Sequence, residues 1–272
     1  MLHNVFPSDS CVVAEVLPSP NHGERREGRR PNMIVLHYTG MRDADAALEL
    51  LRARGSDVST HYFVFEDGRI IQMVPESRRA WHAGKASWAG ETDLNSCSIG
   101  IEIANAGHDH GYPDFPRRQI AAVTALCRSI LTRHTIPPTR VVAHSDIAPD
   151  RKQDPGEKFP WRTLHESGVG QWVQPAPITN FGEALSHGDR GSKVAALQRA
   201  LAEYGYGVPQ SADYDLATKE VVTAFQRHFR PERIDGVADQ STLGTLLELL
   251  ANRGRIRTIA ARSRSPMLQL TP

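Results

Sequence analysis

Two histidines close apolar runs in this chain. His37 ends Met33-Ile34-Val35-Leu36-His37, and His144 ends Val141-Val142-Ala143-His144. Ten residues past His144 stands Asp154, inside Asp150-Arg151-Lys152-Gln153-Asp154-Pro155-Gly156. Strand ends are where a rigid scaffold meets an open rim, and functional side chains concentrate there. Two imidazoles and one carboxylate match a catalytic zinc set, because three protein ligands leave a fourth position for water. The same spacing also fits hydrogen-bonded structural histidines, so the pattern alone leaves both readings open.

The elements that would hold these residues can be read from periodicity. Strand-like runs are Met33–Leu36, Tyr62–Phe65, Ile70–Val74, Ser98–Ile103 and Val141–Ala143. Asp67-Gly68, between the second and third, is a hairpin signal. Helical spacing links Ala44, Ala47, Leu48 and Leu51, and again Ile120, Val123, Cys127 and Ile130, which makes Cys127 a core residue. Strands interleaved with helices predict an α/β domain over residues 25–165, a mixed central sheet flanked by helices, after an N-terminal extension over 1–24.

Composition changes near residue 165. Gly168, Gly170, Pro175, Pro177 and Gly182 mark 166–187 as a linker. Three amphipathic segments follow: Val194, Leu197, Leu201 and Tyr204; Val222, Phe225 and Phe229; and Leu243, Leu246 or Leu247, and Leu250. With Asp215 and Ser241 as helix caps, residues 188–251 read as a small all-α three-helix domain. The basic stretch over 252–272, with Arg253, Arg255, Arg257, Arg262 and Arg264, reads as a disordered tail.

Charge narrows the partners. Across 272 residues, 32 Lys+Arg against 31 Asp+Glu leave a net charge of +1, which argues against nucleic acid or an anionic membrane as the main partner. No run approaches the ~18–20 apolar residues of a membrane span. The first twenty residues have neither the basic start nor the apolar segment of a secretory signal, so a cytoplasmic location is expected, with the periplasm or cell envelope as the alternative. Three scattered cysteines, Cys11, Cys97 and Cys127, suggest neither a disulfide framework nor a cysteine zinc site.

Five motifs lie in register along residues 30–165: Val35-Leu36-His37-Tyr38-Thr39, Ser59-Thr60-His61-Tyr62, Ala80-Trp81-His82-Ala83-Gly84, Asn95 through Asn105, and His144 through Gly156. In order and spacing they resemble the zinc-dependent N-acetylmuramoyl-L-alanine amidases of the bacterial type-2 family. The resemblance implies one Zn2+ held by His37, His144 and Asp154, with Glu102 as the catalytic carboxylate and Lys152 as a second catalytic residue stabilising the oxyanion. Glu102 interrupts the apolar run Ile99–Ile103, where a carboxylate is costly without a task or a partner. Phage-type relatives carry a functional tyrosine where this chain has Thr60, so proton handling falls to Glu102.

The resemblance also makes Tyr38, Trp81, His82, Asn105 and Arg151 candidate substrate contacts. Trp81 could instead pack as core and His82 cap a turn, and Asn105 and Arg151 could be solvated loop residues. His61 reads as structural, and His108 and His110 as parts of an exposed loop.

Residues 188–251 resemble the peptidoglycan-binding domain type 1, through Gly188-Asp189-Arg190-Gly191-Ser192, Ala224-Phe225-Gln226 and Asp235-Gly236. They depart from it where Ser211-Ala212-Asp213-Tyr214-Asp215 replaces an Asp-Gly turn. The reaction expected is hydrolysis of the bond between N-acetylmuramic acid and L-alanine in peptidoglycan or muropeptides. The alternatives are a non-catalytic muropeptide sensor and a zinc peptidase cutting within the stem peptide. The oligomeric state and the choice between soluble anhydro-muropeptide and intact sacculus stay open at this level.

Overall fold

The computed structural model describes residues 6–179 and 182–263, with side chains described through 253. The strands are β1 (Glu15–Val16), β2 (His22–Glu24), β3 (Met33–Tyr38), β4 (Tyr62–Val64), β5 (Ile70–Gln72), β6 (Arg78–Ala80), β7 (Ser98–Ile103) and β8 (Val141–Ala143). The helices are α1 (Ala44–Arg52), α2 (Arg117–Arg133), α3 (His144–Ile147), α4 (Trp161–Glu166), α5 (Ser192–Tyr204), α6 (Leu216–Phe229) and α7 (Gln240–Ser263).

Six strands form one sheet in the order β1-β5-β4-β7-β3-β8, and β2 pairs with β6 separately. Only β4 and β5, joined through Asp67-Gly68, run antiparallel in the large sheet; its other pairs are parallel, so the sheet is mixed as expected. The N-terminal extension is part of the fold, since β1 and β2 both lie within it. With the sequences Glu-Val and His-Gly-Glu, β1 and β2 are too short and too polar to leave an apolar run in the sequence.

Period-two alternation divides β3 and β7 between two faces. Ile34, Leu36, Ile99, Ile101 and Ile103 point to one side and pack on Ile120, Val123, Cys127 and Ile130 of α2. Each such side chain contributes roughly 1.5–3 kcal/mol on burial. Phe63, Ile71 and Met73 face Leu48 and Leu51 of α1 on the other side, where the Asp43 carboxylate caps α1 by accepting from the amides of Asp45 and Ala46.

The helical domain is docked on the first. Met33, Val35, Trp88 and Ile147 share one apolar cluster with Leu197, Leu201, Tyr206, Phe225 and Phe229. The expected linker is docked too. Val169 and Val173 are buried, and the Gln171 amide donates to the Leu249 carbonyl over 2.9 Å.

Three details differ from the sequence reading. Asp239 caps α7, accepting from the Thr242 amide over 2.8 Å, while Ser241 donates its hydroxyl to the Ala176 carbonyl. The buried stripe of α7 includes Leu246 and Leu249, whereas Leu247 is exposed. Finally, α7 continues to Ser263, so the first part of the basic tail is helical; residues 264–272 lie outside the described residues.

Candidate active site

His37 lies near the C-terminal end of β3, and His144 opens α3 directly after β8. Since β3 pairs with β8 through Leu36 and Ala143, the two imidazoles emerge side by side. The turn after α3 then brings Asp154 back, and its carbonyl accepts the Ser145 amide over 3.0 Å. His37 Nδ1 and His144 Nδ1 are 2.9 Å apart, and Asp154 Oδ2 lies 3.2 Å from the first and 3.0 Å from the second. Among the described residues this is the one cluster of three His, Cys, Asp or Glu side chains able to hold a metal, and all three are buried.

The donor set fits zinc. Zinc takes histidine nitrogen and carboxylate oxygen at ~2.0–2.2 Å in a tetrahedron, whose edges are then roughly 3.3 Å. His144 Nε2 lies 3.4 Å from the Ala83 carbonyl oxygen, which can only accept. That contact favours the proton on Nε2 and leaves the Nδ1 lone pair facing Asp154. Burial, and then the neighbouring His144, push His37 down to about 4, favouring the neutral imidazole that a metal needs.

Glu102 is the cross-strand partner of His37 in the β3–β7 register, so both side chains rise from the same face. Its Oε2 is buried and has no hydrogen-bond partner within the protein. Burial, reinforced by the Asp154 charge and opposed by Lys152, raises the Glu102 carboxyl well above its ordinary range. A half-buried cleft carboxyl with one buried, unpartnered oxygen is the kind of group that marks a candidate functional site.

The cleft over these residues encloses roughly 440 Å³. Met41, Leu50, Val58 and Trp81 give it an apolar wall, and Glu102, Lys152, Gln153 and Asp109 give it a polar one. Thr60 is turned away, its hydroxyl 3.3 Å from the Tyr62 carbonyl, so it offers nothing to a reaction here.

The candidate contacts fall in different places. Trp81 and Tyr38 line the cleft, and Tyr38 shares a 2.9 Å hydrogen bond with His108 Nδ1. His108, expected in an exposed loop, also contacts Glu157, whose carboxylate contacts Arg227 of α6 at 3.3 Å. Arg151 borders the cleft, yet its Nε and Nη2 already donate to the carbonyls of Ala83 and Lys85. That strapping leaves Nη1 as the guanidinium nitrogen available to a substrate.

Asn105 is not among the residues lining the cleft; its side-chain amide donates to the Pro113 carbonyl and its Oδ1 accepts from the Gly107 amide, bracing a loop. His82 reaches the cleft only from beneath and is 9% exposed, with Nδ1 3.1 Å from His37 Nε2. His61 is structural as expected, fully buried, with Nδ1 accepting from the Gly100 amide over 3.0 Å. Sequence reasoning passed over Asn95, whose Oδ1 accepts the amides of both His82 and Ala83. Its only signal was membership of a motif.

Comparison with known proteins agrees with this geometry. Residues 27–157 match the N-acetylmuramoyl-L-alanine amidase family and residues 190–246 a peptidoglycan binding domain family. The N-acetylmuramoyl-L-alanine amidase AmiD of Escherichia coli is 39% identical over 241 residues, covering 83% of this chain and 84% of the relative. The solved complex of that E. coli enzyme with anhydro-N-acetylmuramic acid-L-Ala-D-γ-Glu-L-Lys superposes with a TM-score of 0.71 at 38% identity, over 85% of this chain and 92% of the other. AmpDh3 of Pseudomonas aeruginosa, solved with an anhydromuramic pentapeptide, gives 0.69 at 34% identity over 84% and 94%. With this fold, this cluster of side chains and relatives aligned over most of its length, the chain belongs to the N-acetylmuramoyl-L-alanine amidase family of hydrolases.

Proposed function

We propose that this amidase is a zinc hydrolase in which His37, His144 and Asp154 hold one Zn2+ and Glu102 moves the proton. The observation that carries the reading is the convergence of two Nδ1 atoms and one Oδ2 within 3.2 Å of one another, beside the unpartnered Glu102 Oε2. Bound there, zinc would supply Lewis-acid polarisation and bring the pKa of a water toward 7.

The chain's own residues do the rest. Glu102 takes the proton of the attacking water and returns it to the departing amine of L-alanine, a two-way task suited to a carboxyl held above its ordinary range. Lys152 on the rim donates to the oxyanion that grows on the lactyl carbonyl, an effect worth ~2.7–4 kcal/mol for a well-placed donor. Trp81 and the apolar wall pack against the sugar and keep water out. Tyr38 and the free nitrogen of Arg151 orient the stem peptide.

Residues 25–165 form the catalytic unit and 188–251 the peptidoglycan-binding-like unit in this reading. The substrate is a muropeptide carrying the anhydro sugar, the class that occupies both related complexes. The test is to incubate metal-assayed protein with soluble anhydro-muropeptide and, separately, with intact sacculi, and to identify products by mass spectrometry. A released peptide beginning with free L-alanine from the soluble substrate supports the reading. Cleavage inside the stem would indicate a peptidase, and intact substrate with zinc bound a sensor.

A further inference from the structure

His82 lies beneath the ligand cluster, at the end of a chain of hydrogen bonds that can be followed from a single carbonyl. The Leu94 carbonyl can only accept, so the 2.5 Å contact from Ser98 Oγ uses the one proton that the hydroxyl has. Ser98 Oγ must therefore accept at its second contact, 3.1 Å from His82 Nε2, which places the His82 proton on Nε2. In the neutral ring His82 Nδ1 is then an acceptor, and its 3.1 Å neighbour His37 Nε2 has to donate. The remaining nitrogen, His37 Nδ1, keeps a bare lone pair directed at His144 and Asp154.

We infer that His82, oriented by Ser98, is a positioning residue that fixes His37 in the tautomer able to bind a metal. Without this chain His37 could carry its proton on Nδ1 and donate it to Asp154 Oδ2 at 3.2 Å, an arrangement that would close the site to a cation. Pattern reading could not separate His82 from a substrate contact, since both uses put a histidine next to the cleft.

The surroundings of His82 are built for that ring. Asn95 Oδ1 holds the backbone amides of His82 and Ala83, at 3.1 and 2.9 Å. Gly100 leaves the space the ring occupies, for a Cβ there would lie 2.5 Å from His82 Cγ and 2.7 Å from its Nδ1. Gly100 has an ordinary strand backbone, so closeness to the ring is the reason a side chain is excluded. Asn95, Ser98 and Gly100 thus form a cradle for His82, and Glu102, two residues on, serves the cleft on the same face of β7.

The inference rests on the zinc reading above, and its first test needs no metal. Nitrogen-15 histidine NMR of the metal-free full-length protein reports the tautomer of each ring. Wild type is expected to show His37 protonated on Nε2, with Ser98→Ala and His82→Leu mixing in or switching to the Nδ1–H form. The second test is competition of Zn2+ against a chromogenic chelator. His82→Leu and Gly100→Ala should weaken Zn2+ by ~10–100-fold, while His82→Gln, which can still accept from His37 and donate to Ser98, should recover to within about threefold of wild type.

Thermal melts identify any variant that fails to fold, in which case the wild-type tautomer and Ser98→Ala decide. His37 protonated on Nδ1 in the metal-free wild type, or a folded His82→Leu that binds Zn2+ as wild type does, would overturn the assignment. Wild-type protein with no affinity for Zn2+ would instead remove the zinc reading, leaving the tautomer result to stand or fall separately.

Discussion

His228, on α6, donates from Nδ1 to Asp146 Oδ2 over 2.6 Å, joining the helical domain to a residue two positions past His144. Both side chains are buried. The same carboxylate accepts the Tyr206 hydroxyl at 2.7 Å and the Ala143 amide at 2.8 Å. Two of its three partners come from the C-terminal domain, while the third is the residue before a proposed ligand. The domain therefore braces the segment that presents His144.

This arrangement predicts cooperative unfolding. Urea denaturation followed by tryptophan fluorescence and circular dichroism should give coincident single transitions, because one apolar cluster spans both domains. His228→Ala should cost ~3–5 kcal/mol by leaving a buried carboxylate short of a partner, and Tyr206→Phe about 1–3 kcal/mol. Two separated transitions in wild type would show that the docking is weak.

Removal of the proton carrier should be separable from removal of the metal. Glu102→Gln is expected to retain zinc by elemental analysis and to lose ~10²–10⁴-fold in kcat. His144→Ala should lose zinc and turnover together. A Glu102→Gln enzyme with ordinary kcat would reassign the base.

Lys152→Ala tests the oxyanion role. Its loss should appear in kcat, by ~10²–10³-fold, with KM little changed, as expected for a contact formed only as charge develops. A change confined to KM would make Lys152 a binding residue.

Activity should fall on the acid side at a higher pH than an ordinary glutamate would dictate. In the proposed role Glu102 acts as a base only when deprotonated, and its carboxyl is raised by burial and then by the Asp154 charge. Activity should thus rise with pH through that elevated value, and the Glu102→Gln residual rate should lack this limb. A kcat profile flat down to the ordinary carboxylate range would contradict the assignment.

Glu76 governs a separate acid effect on stability. Its carboxylate accepts from Tyr62, Arg133 and His134 at 2.6–3.0 Å. Burial alone would raise it, but the hydrogen bonds from His134, Arg133 and Tyr62 outweigh burial and bring it to about 2. A depressed carboxyl stabilises the fold above its unfolded value of 4.5 and loses that contribution as pH falls toward 2. Urea midpoints measured across that interval should decline more steeply for wild type than for Glu76→Gln, which should itself cost ~3–5 kcal/mol near neutrality.

Much of the architecture was legible in the order of residues. Continuous apolar runs located β3 and β7, which are buried on both faces, and helical spacing located α1, α2 and the apolar stripes of α5 and α6, where burial of one face leaves a periodic mark. His37, His144, Asp154 and Glu102 could be singled out from strand ends, an interrupted apolar run and a shared motif order.

What sequence could not contain was adjacency across the chain. That His37 faces Glu102 depends on the β3–β7 register, and that Asn105 braces a loop depends on where Pro113 folds back. The proton order from Leu94 to His37 and the seat of His228 on Asp146 join residues far apart in number, through directional hydrogen bonds that leave no periodic trace. Side-chain type determined which groups were available for chemistry, whereas tertiary packing decided which of their atoms meet.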